Sequence, residues 1–319
     1  MAYNIKSIKK EFAEKGIFYT QPELANYLKT FLPADVKEVY DPTCGNGGLL
    51  SVFDDDVEKY GQEINAEQLA DAEKHLSNFH GACGDTLKNP AWIDRKFDYI
   101  VANPPFSIKW EPPKIDMFDT DPRFEMCPIL PPKSMADYAF LLHILYMLSD
   151  KGLAVVLNSS GVTFRGNAEG NIRKWLCEYN FIEKVVAVPS GQFVDTNIAT
   201  YIFVLSKHKE NTDITFINKE DGKVATISFD EIARNNFNLS VNLYIQHEYQ
   251  KIDYEPTHVI LNDIQEKMLE EMENMHNLCN LLSADDNSIT LNNFVDKAQS
   301  IISKMKQSEF YKTEEQKCR

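Results

Sequence analysis

A tetrapeptide of unusual composition, Asn103-Pro104-Pro105-Phe106, directly follows the apolar run Phe97–Ala102. The side-chain carbonyl of Asn103 and the backbone carbonyl of Pro104 are two acceptors that can bond both hydrogens of an exocyclic amine. Such bonding favours a tetrahedral nitrogen and localises its lone pair. Because the two prolines fix φ, the acceptors are held rigidly and little reorganisation is needed as charge develops. The tetrapeptide therefore predicts activation of an aromatic amine toward an electrophilic carbon.

Phe106 adds a flat apolar face beside these acceptors. A nucleobase stacked on an aromatic side chain gains about 1–3 kcal/mol. The N6 amine of adenine is inaccessible to an in-line donor inside a duplex, so chemistry there requires the base to be extruded. Together the four residues predict methyl transfer to N6 of an extruded adenine. The alternative is a proline-rich strand exit without a catalytic role.

A glycine-rich turn, Asp41-Pro42-Thr43-Cys44-Gly45-Asn46-Gly47-Gly48, follows another predicted strand. Glycines let the backbone adopt positive φ and approach a bound ligand closely. The turn lacks the lysine of a triphosphate-binding loop and the Gly-x-Gly-x-x-Gly spacing of dinucleotide folds. An acidic residue at its head suits a ligand that carries an ammonium group or hydroxyls. The alternative is an ordinary tight turn in a core of small residues.

Glu63 stands 22 residues after Asp41. That separation is what one strand-helix-strand unit requires, and a carboxylate at the end of the second strand of a nucleotide-binding fold grips a ribose hydroxyl. We therefore expect Glu63 to hold the ribose of a nucleoside ligand.

The elements that must position these residues alternate between β-branched runs and helix-period patterns, which indicates a doubly wound, Rossmann-like α/β sheet. Polar residues fall at the predicted strand ends, where open α/β sheets bind ligands. Strands are predicted at 36–40, 57–63, 97–102, 153–158, 182–188 and 200–206, and helices at 135–149 and 168–179.

Two segments depart from this alternation. Residues 107–134 form a 28-residue loop with six prolines, and loops of that length are usually functional or disordered. Beyond residue 258 the pattern is helical, with Leu261, Met268, Met275 and Leu282 seven apart, and a second helix is expected to carry Phe294, Ile301, Ile302 and Met305. The last dozen residues are expected to be disordered. We predict a short helical N-terminal segment over 1–35 that closes over a bound cofactor, a catalytic domain over 36–255 and a helical C-terminal appendage over 256–319. The appendage has two alternative roles, docking of a partner and simple packing.

Composition restricts the class of protein. The 33 basic and 48 acidic residues give a net charge of −15, whereas a protein that grips DNA alone is normally basic. A partner is therefore expected to supply most of the contact with phosphate. The chain has no apolar run long enough to span a membrane. Its six cysteines are widely spaced, which favours reduced thiols in the cytoplasm and no metal site.

The chain resembles the modification (M) subunits of type I restriction-modification systems, which are N6-adenine DNA methyltransferases of the gamma class. The resemblance covers about residues 17–250. The turn is similar to the family motif Asp-Pro-Ala-Cys-Gly-Ser-Gly-Gly-Phe-Leu, with Thr43 and Asn46 as departures. The other segments that match family motifs are Phe18-Tyr19-Thr20-Gln21-Pro22, Gly61-Gln62-Glu63-Ile64-Asn65, Gly84-Asp85-Thr86-Leu87, Asn103 to Phe106, Ala136-Asp137-Tyr138-Ala139-Phe140 with His143, Gly161 to Gly166 with Glu169, Ile172 and Arg173, and Asn238-Leu239-Ser240 with Tyr244.

This resemblance implies S-adenosyl-L-methionine as cofactor and assigns the tetrapeptide, Asn103, Pro104, Pro105 and Phe106, to catalysis. It implies that Asp85 accepts from the cofactor adenine. The cofactor-binding residues that it implies are Thr20, Gln21, Pro22, Asp41, Thr43, Gly45, Asn46, Gly47, Gly48, Glu63, Ile64, Asp85, Thr86 and Asn103.

The resemblance also implies partners: double-stranded DNA, a separate specificity (S) subunit and, in addition, a restriction subunit. Family members usually carry a large helical domain before the sheet, whereas about 35 residues precede it here. Three alternatives stay open: methylation of a protein glutamine, methylation of RNA adenine, and a catalytically inactive scaffold.

Several other polar residues have two interpretations. His143 lies on the apolar face of a predicted helix, and we expect a core histidine rather than a base. Arg165 and Arg173 are expected to face DNA phosphate, with bonds inside the core as the alternative. Lys109 and Trp110 follow the tetrapeptide and either touch the extruded strand or have a structural role.

Overall fold

The computed structural model describes residues 20–112, 121–190, 199–245 and 257–282, together with residues 299, 300 and 303. Several predictions lie outside these residues: the roles of Phe18 and Tyr19, part of the proline-rich loop, the second C-terminal helix and the disorder of the last dozen residues. The chain divides into two compact units, Met1–His247 and Glu248–Arg319.

In the described part of the first unit, one sheet has nine strands in the order β3-β2-β1-β4-β5-β7-β6-β8-β9. Strands β1 to β5 pair in parallel, β7 runs antiparallel between β5 and β6, β8 is parallel to β6, and β9 is antiparallel to β8. The strands are β1 Glu38–Asp41, β2 Glu58–Glu63, β3 Phe79–Cys83, β4 Phe97–Ala102, β5 Leu148–Ser159, β6 Ile182–Val188, β7 Thr200–Ser206, β8 Ile214–Asn218 and β9 Val224–Ile227.

Helices and connecting segments flank this sheet. They are α1 Pro22–Lys29, α2 Ala66–His75, α3 Pro122–Glu125, α4 Asp137–Met147, α5 Asn167–Glu178, α6 Phe229–Arg234 and α7 Val241–Tyr244, with single 3₁₀ turns at Leu50–Val52 and Ser160–Thr163.

The doubly wound α/β class predicted from the alternation is confirmed. The chain runs from β1 outward to β2 and β3, and then returns to place β4 and β5 on the opposite side of β1. This reversal between β1 and β4 is a topological switch point, where the loops after neighbouring strands diverge and leave a crevice. Asp41 ends β1 and Asn103 follows β4, so both lie at that crevice.

Three strands, β3, β8 and β9, were not predicted, and neither was the antiparallel direction of β7. β3, of sequence Phe-His-Gly-Ala-Cys, contains a glycine and is exposed at several positions. It therefore lacks the apolar pattern by which a strand is detected.

Helix α4 is more deeply buried than its predicted single apolar face. All of its residues except Tyr146 are buried, including the polar Asp137 and His143. It packs against β5 and against α3, so it lies in the core rather than on the surface. A helix that is apolar around most of its circumference belongs in such a position.

The described part of the second unit is one long helix, α8, Thr257–Leu282. It confirms the helix expected beyond residue 258. Its exposed apolar side chains are Ile260, Leu261, Ile264, Met268, Leu269 and Met275. Docking of a partner on this helix stays a prediction. Among the described residues, no helix has the length and apolarity needed to cross a bilayer.

Candidate active site

A cavity of about 850 Å³ opens at the carboxyl ends of β1, β2 and β4. Its size is within the roughly 300–1,000 Å³ of small-molecule sites. Twelve of the site residues predicted from the sequence line it: Thr20, Asp41, Thr43, Gly45, Asn46, Gly48, Glu63, Ile64, Asp85, Thr86, Asn103 and Pro105.

Five other predicted residues are not among those that line the cavity. Gln21 precedes helix α1 and its carbonyl accepts from Leu24 and Ala25, while Pro22 is the first helical residue. Pro104 is buried, and Phe106 packs against the apolar cluster that includes Val101 and Val155. The fifth residue is Gly47.

The glycine turn depends on two positive φ angles, +55° at Gly45 and +83° at Gly47. A Cβ at Gly47 would lie 2.5 Å from Leu76 Cδ1, at the end of helix α2. Gly47 is therefore needed for packing behind the turn, whereas Gly45 faces the cavity. Gly48 has no positive φ in the structure, and a Cβ there would make only ordinary contacts.

Glu63 fastens this turn to the end of β2. The backbone N–H of Gly45 donates to its Oε2 and the backbone N–H of Asn65 to its Oε1, both at 2.9 Å. The sequence predicted only a ribose contact for Glu63. The structure adds a second task, since the carboxylate that lines the cavity also joins the two segments that border it.

Asp41 places a buried carboxylate on the cavity wall. Its side chain is 1% exposed, and Oδ1 accepts from the Thr43 backbone N–H at 2.9 Å. Burial, with the nearby charge of Glu63, raises the pKa of Asp41 to about 8, although the bonds from Thr43 oppose that rise. A positively charged ligand group beside a carboxylate desolvated in this way would favour its ionised form.

The loop after β3 also lines the cavity. Asp85 Oδ1 accepts from the backbone N–H groups of Leu87 and Lys88 at 2.9 and 3.3 Å. Thr86 Oγ1 donates to the carbonyl of Pro42, which ties this loop to the glycine turn.

Gln62 belongs to the motif that contains Glu63, but the sequence assigns no role to it. Its Nε2 donates to the carbonyl of Asn89 at 2.8 Å, and its Oε1 accepts from the backbone N–H of Ala91 at 3.0 Å. Gln62 therefore holds the far end of this loop.

The Asn103 side chain is oriented by a segment distant in sequence. Its Nδ2 donates to Thr20 Oγ1 at 3.0 Å. With the amide nitrogen engaged by Thr20, the plane of the amide is fixed and its carbonyl end is assigned to the acceptor role. Thr20 is thus placed where it touches both the cavity and the tetrapeptide.

Ser107, directly after the tetrapeptide, has a φ of +55°. A residue with a side chain in this region costs about 1–3 kcal/mol, and such strain persists where the surroundings enforce it. Here the Ser107 N–H donates to Asp137 Oδ2 at 3.2 Å, and Arg165 Nη2 donates to Ser107 Oγ at 3.1 Å. Asp137 and Arg165 therefore fix the exit of the Asn-Pro-Pro-Phe corner.

The predicted phosphate-facing roles of Arg165 and Arg173 were wrong. The side chain of Arg165 is 23% exposed and its Nη1 pairs with Glu169 at 3.2 Å and Asp137 at 3.7 Å. Arg173 is 3% exposed and donates to the carbonyls of Phe237, Val162 and Arg165. Both arginines bond inside the fold, because local carboxylates and loop carbonyls supply their acceptors.

His143 is a core histidine, as predicted. It is fully buried, and its Nε2 lies 3.4 Å from the hydroxyl of Tyr40. Burial, together with the charge of Arg123, holds the pKa of His143 well below its usual range. This neutral ring is a hydrogen-bonding partner within the core.

Trp110 has a structural role, since it is 7% exposed and its Nε1 donates to the carbonyl of Pro132 at 3.0 Å. Trp110 and the exposed Lys109 both line the cavity, so their contact with an extruded strand stays a prediction. Within the described ranges, no group of three or more His, Cys, Asp or Glu side chains is placed to hold a metal ion.

Comparison with known proteins adds to this geometry. The sequence profile described as "N-6 DNA Methylase" matches residues 3–226. The MpnII type I restriction enzyme methylase subunit of Mycoplasma pneumoniae is 28% identical over 87% of this chain and 62% of its own. The HindI methylase subunit of Haemophilus influenzae is 28% identical over 70% of this chain and 55% of its own.

A solved structure, the type I restriction-modification methyltransferase subunit from Streptococcus thermophilus, is 32% identical. It superimposes with a TM-score of 0.65 over 72% of this chain and 59% of that one. The chain thus spans about 60% of the length of the relatives that it matches.

Proposed function

We propose that this chain, which belongs to the N-6 DNA methylase family, transfers a methyl group from S-adenosyl-L-methionine to N6 of an adenine extruded from DNA. One observation carries the proposal: Asp41, Gly45 and Glu63 line the same cavity as Asn103 and Pro105. A nucleoside site and an amine-binding corner therefore share one space.

The residues on the cavity wall fit the cofactor. The carboxylate of Asp41, whose pKa is raised to about 8 mainly by burial, suits a ligand with a positive charge, which would favour the ionised form. Ile64 is 68% exposed where it borders the cavity, so an aromatic base packed on it would remove apolar surface from water. Glu63 would accept from the ribose hydroxyls and Asp85 from the adenine amine.

The cofactor supplies an activated methyl group on a sulfonium, and the chain supplies position and polarity. Asn103 accepts one amine hydrogen through its side-chain carbonyl, and Pro104 accepts the other through its backbone carbonyl. Because Thr20, Asp137 and Arg165 fix the two ends of this corner, the acceptors stay in place as positive charge develops on the nitrogen. Phe106 is half-buried at the end of this corner and packs on the apolar cluster, and we assign its exposed part to stacking with the extruded base.

The acidic net charge of the chain favours a function within a complex. The net charge of −15 does not favour binding to phosphate, and both candidate arginines are bonded internally. We infer that a specificity subunit supplies the grip on DNA and the choice of sequence, with this chain as the modification subunit. The type I methylase subunits that resemble it support this arrangement.

Transfer of a tritiated methyl group tests the proposal. The full chain is purified alone and together with a candidate specificity subunit, and each is incubated with DNA that lacks N6-methyladenine, with RNA or with protein. We expect label in DNA, on N6 of adenine, and stronger labelling by the complex. The matched control is Asn103→Ala in the same complex, which should transfer no label. Label that enters protein or RNA and never DNA would overturn the proposal.

A further inference from the structure

Arg123 is a buried cation that the sequence did not single out. It belongs to helix α3, within the long segment between the tetrapeptide and α4, and is 2% exposed. Its charge is balanced by Asp121, which accepts from Nε at 2.9 Å and from Nη2 at 2.6 Å.

The remaining donors of Arg123 reach out of α3. Nη1 donates to the carbonyl of Thr86 at 2.8 Å, and Nη2 donates to the carbonyl of Leu87 at 2.7 Å. Nη1 also lies 3.2 Å from Nδ1 of His143, which must be the acceptor because a guanidinium only donates. All five N–H groups therefore have an acceptor, and two of those acceptors are consecutive backbone carbonyls.

These two carbonyls belong to the loop after β3, whose residues from Gly84 to Lys88 line the cavity. Two parallel donors in one rigid plane restrain both peptide units. The orientation of these peptides in turn determines where Asp85 points, because Asp85 Oδ1 accepts from the backbone N–H of Leu87. Lysine, with one rotatable ammonium, cannot reproduce this planar pattern.

We propose that Arg123 is a positioning residue for cofactor binding, which clamps the loop from Gly84 to Lys88 in the form that receives the cofactor adenine. The inference rests on the proposed function, since the ligand is S-adenosyl-L-methionine. Arg123 is not among the residues that line the cavity, and it acts on the site through its bonds to Thr86 and Leu87.

Arg173 provides a matched control within the same chain. It is also a buried arginine, 3% exposed, that donates to three backbone carbonyls. Its acceptors belong to Val162, Arg165 and Phe237, none of which is among the residues that line the cavity. Arg123→Lys and Arg173→Lys should lower stability by similar amounts, but only Arg123→Lys should alter the loop from Gly84 to Lys88.

The experiment uses the full chain and two readouts. Calorimetric titration with S-adenosyl-L-methionine is expected to give an affinity at least tenfold weaker for Arg123→Lys than for the wild type, and within twofold of the wild type for Arg173→Lys. Hydrogen exchange of the free protein is expected to be faster in the peptide covering 84–91 for Arg123→Lys alone, with the peptide covering 152–158 unchanged. Should Arg123→Lys fail to fold, a second variant, Asp121→Asn, takes its place. It removes the negative charge that pairs with Arg123, on a side chain that is 15% exposed. This variant should weaken affinity at least threefold and speed the exchange of the same peptide.

The outcomes separate the two claims. A wild-type chain that binds no S-adenosyl-L-methionine overturns the proposed function and the cofactor role of Arg123 together. A wild type that binds, with a folded Arg123→Lys that matches its affinity and its exchange at 84–91, overturns the positioning role only. An equal loss of affinity in Arg123→Lys and Arg173→Lys does the same, because it marks a general effect on stability.

Discussion

Replacement of Asp41 by asparagine should change the protons exchanged when the cofactor binds. Burial raises the pKa of this carboxyl to about 8, so about 0.9 of the free chains carry a proton on Asp41 at pH 7. An ammonium group brought beside it favours the ionised form. Binding of S-adenosyl-L-methionine at pH 7 should therefore release about 0.9 proton from the wild type and almost none from Asp41→Asn.

The same linkage sets the size of the affinity effect. A hydrogen bond to a charged group contributes about 1.5–3 kcal/mol, but removing the proton from Asp41 costs about 1.4 kcal/mol at pH 7 and about 2.7 kcal/mol at pH 6. The affinity of the wild type relative to Asp41→Asn should therefore rise about ninefold from pH 6 to pH 7. Both pH values are below the ordinary pKa of an α-amino group, so the ligand stays cationic.

Isothermal titration calorimetry in buffers of different ionisation enthalpy measures both quantities. Equal proton release by the wild type and Asp41→Asn, or a constant affinity ratio between pH 6 and pH 7, would refute the reasoning. The free chain gives a second readout. Since the folded state retains a proton that the unfolded state releases, the contribution of Asp41 to stability is present below pH 4 and is lost as pH rises toward 8. Urea unfolding of Asp41→Asn should lack this component.

Three further substitutions test the site. Asn103→Ala should abolish methyl transfer while cofactor affinity, measured by calorimetry, stays within a few-fold; full activity would remove Asn103 from the amine-binding role. Glu63→Ala loses the acceptor for the N–H groups of Gly45 and Asn65 and should weaken cofactor affinity at least tenfold and stability by about 1–3 kcal/mol; unchanged affinity would exclude Glu63 from the ribose site. Asp137→Asn loosens Ser107 without touching the cavity wall, so turnover in the complex should fall with cofactor affinity unchanged. Asp71→Asn, an exposed partner of Lys74, is its control, and an equal effect of both would contradict this role of Asp137.

The hydrophobic pattern of the sequence determined much of the sheet. The strands at 97–102, 182–188 and 200–206 match the predicted bounds, because strands that are buried on both faces are nearly continuous apolar runs that contrast with their polar neighbours. The fold class and the family followed from the order of these runs and from the motifs at their ends.

The hydrogen-bond partners of the polar side chains were decided by the tertiary structure. Whether Arg165 faces phosphate or Asp137 depends on which surfaces pack together, and the same holds for Trp110. Arg123 has no sequence signal at all, since the two backbone carbonyls that it holds lie on a loop more than 30 residues before it.

The sequence by itself determined which groups are available: a carboxylate at the end of one strand, another at the end of the next, and an amide followed by two prolines. The tertiary structure alone decided that they share one cavity, because strand order reverses between β1 and β4 and so brings Asp41 and Asn103 together. Local periodicity records the burial of each segment, whereas the partner of a polar side chain depends on which distant segments meet. The charge state of Asp41 is set in the same way, by the solvent that the surrounding chain excludes.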